Sequence, residues 1–239
     1  MVGVKSDLGN IRKLNEDYAG FYEEDNVKIY VVTDGMGGHN AGEIASEIAA
    51  ESIITYIKEN IKDDIFQKTL KEAIEFANKE VYSLAYKKEK YTGMGTTVVA
   101  CLITNMGIQI GNVGDSSCFI VKDNRVYKIT KDHSLVQELL DTGSISKEQA
   151  INHPQKNVIT RAIGTGEEVE IDIYNLNKED YDYILLCTDG VTNDIVLEEE
   201  LVKLMDNNNI QEICNELVNK AKRNGGRDNI TVMLLGKEV

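Results

Sequence analysis

Acidic residues recur in this chain at positions where a surface acid has no reason to be. Asp34 follows the apolar run "IYVVT", Asp115 follows "IQIGNVG", Asp189 follows "YILLCT", and Asp228 precedes "NITVMLL". A further acidic pair, Glu16 and Asp17 in "LNED", lies just before an early strand-like segment. Glycines adjoin most of these sites, namely Gly35, Gly114, Gly190 and the pair Gly225–Gly226. For any one site turn chemistry is a sufficient explanation, because Asp-Gly is a turn-forming dipeptide. It does not explain the set, since carboxylates placed repeatedly at the ends of buried strands gather negative charge at the edge of a core. Two unit charges roughly 4 Å apart repel by about 4 kcal/mol at an effective dielectric of about 20. Such a cluster takes up protons or binds cations. All-oxygen ligands suit hard ions such as Mg2+ or Mn2+, and compact glycine backbone lets a main-chain carbonyl join them. Asp34 can then bridge two ions while Gly35 offers its C=O. Two ions about 3.5–4 Å apart would activate a bridging water and clamp the oxygens of an in-line displacement at phosphorus.

Arg12, in "GNIRKLNED", shares one short segment with Glu16. A guanidinium is a bidentate clamp for phosphate; a surface salt bridge is the alternative. Histidines are few, and Cys101, Cys118, Cys187 and Cys214 form no CxxC pair, which argues against zinc. The cysteines lie in apolar runs or on an apolar helix face and read as buried reduced thiols. None sits in a glycine-rich loop followed by arginine, so thiolate-based phosphate chemistry is not expected. A net charge of −14 disfavours nucleic acid as a partner.

The elements that must position these residues follow from periodicity. "MVGVKSD", "DYAGFYEE" and "VKIYVV" read as strands, the last ending at Asp34. From Glu43 the period becomes helical, with Ile44, Ile48, Ile53, Ile57 and Ile61 recurring beside Ala45 and Ala49. A second helix over about 66–88 carries the stripe Leu70, Ile74, Ala77, Val81 and Leu84. "TTVVACLIT", "GIQIGNVGD", "SCFIVKD" and "RVYKIT" are strands joined by turns too short for parallel crossovers, hence antiparallel. Short helical pieces and loops over about 132–164 precede two more strands, a helix with Ile210, Ile213, Cys214, Leu217, Val218 and Ala221 on one face, and a terminal strand, "NITVMLL". Runs of each type indicate α+β: two packed antiparallel sheets with helices outside. At 239 residues and 42% hydrophobic content, without a linker, the chain reads as a single domain over 1–239. No apolar window approaches a membrane span and the N-terminus lacks signal-peptide character, so a cytoplasmic protein is expected.

Taken in order, "RKLNED", "VVTDGMGGH", "GTTVV", "NVGDSS", "KDHS", "HPQKNVITRAIG", "LLCTDGVTN" and "RDNITV" resemble the metal-dependent protein phosphatases, the type 2C serine/threonine phosphatases, in their short bacterial branch. The resemblance covers essentially the whole chain. It implies a four-layer sandwich, two antiparallel sheets flanked by helix pairs on both outer faces, with residues 132–164 as a flap beside the active site. It implies that Asp34, Asp189 and Asp228 hold one Mn2+ or Mg2+ ion. Asp34 and the Gly35 carbonyl would hold a second, with Glu16 or Asp17 contributing directly or through water. Asp115 with Asp189 would match a third, weaker site. Arg12 would bind phosphate and Asn229 would support the Asp228 loop. Where the eukaryotic branch has a histidine after Asp-Gly, this chain has Met36; His39 is left as a candidate general acid or a local cap, with metal-bound water the competing donor. His133 and His153 fall in the flap as structural or substrate-facing groups, and Thr96 and Thr97 read as structural hydrogen-bonders. The implied activity is hydrolysis of phosphoserine and phosphothreonine in proteins by metal-activated water, in a monomer serving phosphoproteins and a cognate kinase. The rival readings are a phosphatase-like binding module without turnover, another two-metal phosphohydrolase, and a partner-switching phosphatase of anti-sigma-factor antagonists.

Overall fold

The structure is a computed structural model and describes residues 1–38, 41–61, 66–205 and 208–237. Its strands are β1 (Val2–Asp7), β2 (Asp17–Glu24), β3 (Val27–Met36), β4 (Gly95–Thr96), β5 (Val98–Thr104), β6 (Gly107–Val113), β7 (Ser117–Lys122), β8 (Arg125–Lys128), β9 (Asp172–Leu176), β10 (Tyr183–Cys187) and β11 (Ile230–Gly236). The helices are α1 (Ala41–Asn60), α2 (Phe66–Lys87), α3 (Leu135–Asp141), α4 (Lys147–Ile151), α5 (Asp189–Thr192), α6 (Leu197–Met205) and α7 (Ile210–Asn224). The strands form two sheets, ordered β1-β11-β10-β7-β8 and β2-β3-β5-β6-β9, with β4 paired to β3. Every pairing is antiparallel.

Strand alternation sorts the side chains into layers. On β3, Ile29 and Val31 face α1 and α2, whereas Tyr30 and Val32 enter the core between the sheets. On β10, Leu185 and Cys187 face α6 and α7, whereas Ile184 and Leu186 turn inward. The order is helix pair, sheet, sheet, helix pair, as the sequence reading expects. Helix α7 is fixed to its sheet by buried Ile213, Cys214, Leu217, Val218 and Ala221, and Asn209 and Glu212 close a capping box at its start. Each large apolar side chain so buried contributes roughly 1.5–3 kcal/mol. All the cysteines are free and buried.

Two details differ from the periodicity reading, and both bear on the site. The strand does not stop at Asp34: β3 continues through Gly35 and Met36, which pair with Thr96 and Gly95 of β4. The first turns of helix α1 point their alanines inward, with Ala45, Ala49 and Ala50 at 0% exposure and Ile44 and Ile48 only partly buried, while Ile53 and Ile57 are buried as the periodicity expects. That alanine ridge lets the start of α1 press on β3. A Cβ at Gly35 would lie 2.1 Å from the Gly42 carbonyl oxygen, so only glycine fits there.

Candidate active site

The end of β3, the β6–β7 turn, the β10–α5 junction and the loop before β11 open on one cleft of about 220 Å3. Arg12, Glu16, Asp34, Gly35, Asp115, Asp189 and Asp228 all line it. Groups up to 216 positions apart in the chain thus share one wall, as Arg12 and Asp228 do. Asp17 sits behind this lining, 8% exposed, directly opposite Asp34 across the β2–β3 pair. His39 lies outside the described residues.

Each acid is held by its surroundings. The Asp34 N–H donates to Thr97 Oγ1 at 3.0 Å, while its carbonyl accepts from the Thr96 hydroxyl at 2.9 Å and the Thr97 N–H at 2.9 Å. Thr97 Oγ1 and Ser116 Oγ lie 2.7 Å apart, joining Asp34 to the turn that carries Asp115. The Thr188 hydroxyl donates to Asp17 Oδ2 at 2.9 Å and itself accepts the Thr231 N–H at 3.0 Å. Asn193 donates to Asp189 Oδ2 at 2.9 Å. Asn229 ties three segments, donating to the Leu8 and Leu14 carbonyls at 3.0 Å each and accepting the Glu16 N–H at 2.8 Å. Arg12 donates to Asp228 Oδ2 at 2.8 Å.

The charges perturb one another strongly. Burial, followed by repulsion from Asp17, Asp189, Asp115 and Asp228, holds the Asp34 carboxyl well above its ordinary range. Burial first, then Asp189 and Asp132, pushes Asp115 up to about 8. Asp17 is raised to about 7, chiefly by burial, against the lowering effect of its threonine hydrogen bonds. Asp189 is raised to about 6 by burial and by Asp228. Burial also raises Glu16, against the pull of Arg12. Carboxylates crowded so that they retain protons near neutrality are poised to exchange those protons for cations.

The donor set fits divalent metal. Oδ1 of Asp17 and Oδ1 of Asp189 are buried and have no hydrogen-bond partner, a state shared with Gln109 Oε1 and Asn112 Oδ1 away from the cleft lining; among the clustered acids it leaves two carboxylate oxygens free to take a cation. The set is all oxygen, which selects hard ions. As the side chains stand, no three or more acidic, histidine or cysteine groups among the described residues are placed to hold one ion together, so binding requires the carboxylates to turn. Asp228 is turned toward Arg12 and Asp189 toward Asn193.

Met36, Gly37, Thr97, Asn157 and Ile159 also line the cleft, the last two from the 132–164 segment. Their motifs belong to the sequence reading, which assigns none of the five to the cleft wall. Asn193 was findable, because it stands one helical turn after Asp189, the spacing at which helical side chains meet. Thr188 was not: its partner Asp17 is 171 positions away. His133 is buried, accepts the Gly114 N–H on Nδ1 at 3.0 Å and contacts Asp172 at 3.1 Å, so it braces the Asp115 turn and does not face the cleft. His153 Nδ1 accepts the Gln155 N–H at 3.2 Å inside the same segment.

A sequence-family model described as protein phosphatase 2C matches residues 12–222. The serine/threonine phosphatase stp of Listeria welshimeri is 40% identical over 240 residues, covering 98% of this chain and 95% of its own. The protein phosphatase PhpP of Streptococcus pneumoniae strain D39 is 35% identical over 238 residues, covering 98% and 96%. Among solved structures, the serine/threonine phosphatase Stp1 from Staphylococcus aureus superposes with a TM-score of 0.92 at 34% identity, covering 100% of this chain and 95% of that one. The Mycobacterium tuberculosis serine/threonine phosphatase PstP/Ppp superposes with a TM-score of 0.88 at 30% identity, covering 100% and 99%.

Proposed function

The chain belongs to the protein phosphatase 2C family, and from that membership we propose how its acidic cleft serves the reaction. It is a protein serine/threonine phosphatase of a metal-dependent family, acting on phosphoproteins. Asp34, Asp189 and Asp228 would hold one divalent ion; Asp34 and the Gly35 carbonyl would hold a second, with Glu16 at the cleft wall or Asp17 behind it contributing directly or through water. Asp115 with Asp189 would provide a third, weaker position. The ions are Mn2+ or Mg2+, and when bound they supply Lewis acidity toward phosphate oxygens and acidify water for attack on phosphorus.

The chain's own groups do the rest. The Arg12 guanidinium orients the phosphate, releasing Asp228 as it does so; its present pairing at 2.8 Å keeps it at the cleft wall. Thr97, Thr188, Asn193 and Asn229 hold the acids and their segments by hydrogen bonds, so that the carboxylates stay gathered at the cleft. His39 is the candidate proton donor to the leaving alkoxide. The 132–164 segment acts as a flap that presents Asn157 and Ile159 to the substrate within one catalytic domain. A cognate kinase as partner, a monomeric state and a cytoplasmic site of action complete the reading. No helix among the described residues is long and apolar enough to cross a membrane.

The observation that carries this assignment of the site is the convergence of Asp34, Asp115, Asp189 and Asp228 with Arg12 in one cleft, with a buried Asp189 oxygen left unpartnered. The test is release of phosphate from a phosphothreonine peptide with Mn2+, with Mg2+ and with chelator. Asp189→Asn is expected to abolish metal-dependent turnover while remaining folded. Full activity in that variant refutes the ligand assignment.

A further inference from the structure

Behind the cleft, the C-terminal end of α7 and its following loop touch the segments that deliver Arg12, Asp189 and Asp228. On one side, Asn10 donates its side-chain amide to the Lys222 carbonyl at 2.8 Å and the Gly225 carbonyl at 3.0 Å, and its backbone N–H to the Gly226 carbonyl at 2.6 Å. Carbonyls at a helix C-terminus lack partners within the helix, so this amide satisfies groups that would otherwise need water. Lys222 also pairs with Asp7 at 2.9 Å, seating the same N-terminal loop. On the other side Asp194, just past α5, accepts the Gly226 N–H on Oδ2 at 2.8 Å, a donor shared with the Ala221 carbonyl at 3.0 Å. The Asp194 carbonyl in turn takes the Asn224 amide at 2.8 Å. Gly226 has φ +59, and a Cβ there would lie 2.6 Å from the Asn10 amide nitrogen, which explains a glycine between the two grips. Neither Asn10 nor Asp194 lines the cleft.

We propose that Asn10 and Asp194 are positioning residues: by gripping the Gly225–Gly226 loop from opposite sides, they fix Arg12 and Asp189 relative to Asp228. The inference rests on the phosphatase reading above. Asp194 lies five residues after Asp189, in the turn that closes α5, with its N–H on the Val191 carbonyl at 3.2 Å; Asn10 is two residues from Arg12, and Gly226 is two residues from Asp228. Displacement at the loop therefore passes to the charged groups with little slack. The grips have separable consequences. Releasing Asp194 lets Asp189 drift from Asp228 and weakens the cation; releasing Asn10 lets Arg12 drift and weakens the phosphate.

The experiment compares full-length Asp194→Ala, Asp194→Asn and Asn10→Ala with the parent chain. Mn2+ affinity is read by calorimetry, competitive inhibition by inorganic phosphate by kinetics, and Tm in chelator. Asp194→Ala is expected to weaken Mn2+ by roughly tenfold, the lower end of what losing the orientation of a metal ligand costs, with a smaller change in phosphate inhibition. Asp194→Asn keeps an acceptor oxygen and is expected to restore Mn2+ affinity. Asn10→Ala is expected to raise the phosphate inhibition constant roughly tenfold, with a smaller change in Mn2+ affinity. Should Asp194→Ala not fold, Asp194→Ser, whose hydroxyl is too short to reach Gly226, takes its place. Mn2+ affinity within about twofold of the parent in the folded alanine or serine variant overturns the role of Asp194, since that is well short of the tenfold that loss of ligand orientation carries. Equal weakening in Asp194→Asn overturns it too, because charge and not the grip is then responsible. If both constants move together in every variant, with Tm, the role is general stability and the proposal fails. A parent chain that neither binds Mn2+ nor releases phosphate overturns the phosphatase reading itself; a competent parent beside unaffected variants overturns only the grips.

Discussion

Thr97→Val perturbs the site without removing any charge from it. Thr97 Oγ1 accepts the Asp34 N–H at 3.0 Å and lies 2.7 Å from Ser116 Oγ. A threonine hydroxyl has two lone pairs and one proton, so beside the Asp34 N–H it keeps a second hydrogen bond with Ser116 in which either hydroxyl can donate. Valine keeps the shape and loses both bonds. Thr97 is 3% exposed and Ser116 0%, so water does not replace the lost partner. One buried donor or acceptor left unsatisfied costs about 1–3 kcal/mol. Two such groups, offset by under about 1 kcal/mol for the added methyl, give a net loss of about 1–5 kcal/mol. For a chain of this size that lowers Tm on the order of 10 °C. Urea and thermal unfolding of the metal-free chain measure it. Ser116→Ala supplies the internal comparison, since it leaves Asp34 satisfied and orphans only the Thr97 hydroxyl, a loss of about 1–2 kcal/mol. Because Asp34 loses its tether only in Thr97→Val, Mn2+ affinity should fall further there than in Ser116→Ala. Stability of Thr97→Val within about 0.5 kcal/mol of the parent, the range of an ordinary surface substitution, would refute this account of how Asp34 is held.

Protons and metal compete for the same oxygens. Asp17, Asp115 and Asp189, raised to about 7, 8 and 6 from an ordinary 3.8, favour the folded chain when protonated. That contribution is complete below the ordinary value and is lost as pH rises through about 6 to 8, where the deprotonated cluster repels itself. The Tm increment from Mn2+ is therefore expected to grow between about pH 5.5 and about pH 8.5, and a constant or shrinking increment in thermal scans contradicts it. Gly35→Ala places a Cβ 2.1 Å from the Gly42 carbonyl oxygen and is expected to destabilise by about 3 kcal/mol or more, read by urea unfolding; a near-neutral result would show that α1 can move off β3. Arg12→Ala should raise the phosphate inhibition constant by roughly tenfold or more while retaining Mn2+ binding, and unchanged inhibition removes Arg12 from phosphate recognition.

Much of this protein was legible in its sequence because the signals are local. Period-two runs named the strands, since alternation is a property of the extended chain, and the stripe from Leu70 to Val81 named α2 for the same kind of reason. The acids at Asp34, Asp115, Asp189 and Asp228 stood out because carboxylates beside buried runs contradict ordinary burial preferences. What a linear reading could not supply was distance. Glu16 and Asp17 are adjacent in the chain and were interchangeable in sequence, yet the β2–β3 register buries Asp17 opposite Asp34 and leaves Glu16 on the cleft wall. The end of β3 was misjudged because its last pairs are made with β4, more than fifty positions away. Thr188 beneath Asp17, and Asn10 and Asp194 around Gly226, are unremarkable residues whose roles exist only once the chain has closed. Residue type and spacing thus determined which groups could do chemistry. Sheet register and helix docking decided which of them meet, because a carboxylate's proton affinity and metal affinity depend on the charges and dipoles within a few ångströms of it, and those neighbours come from remote parts of the chain.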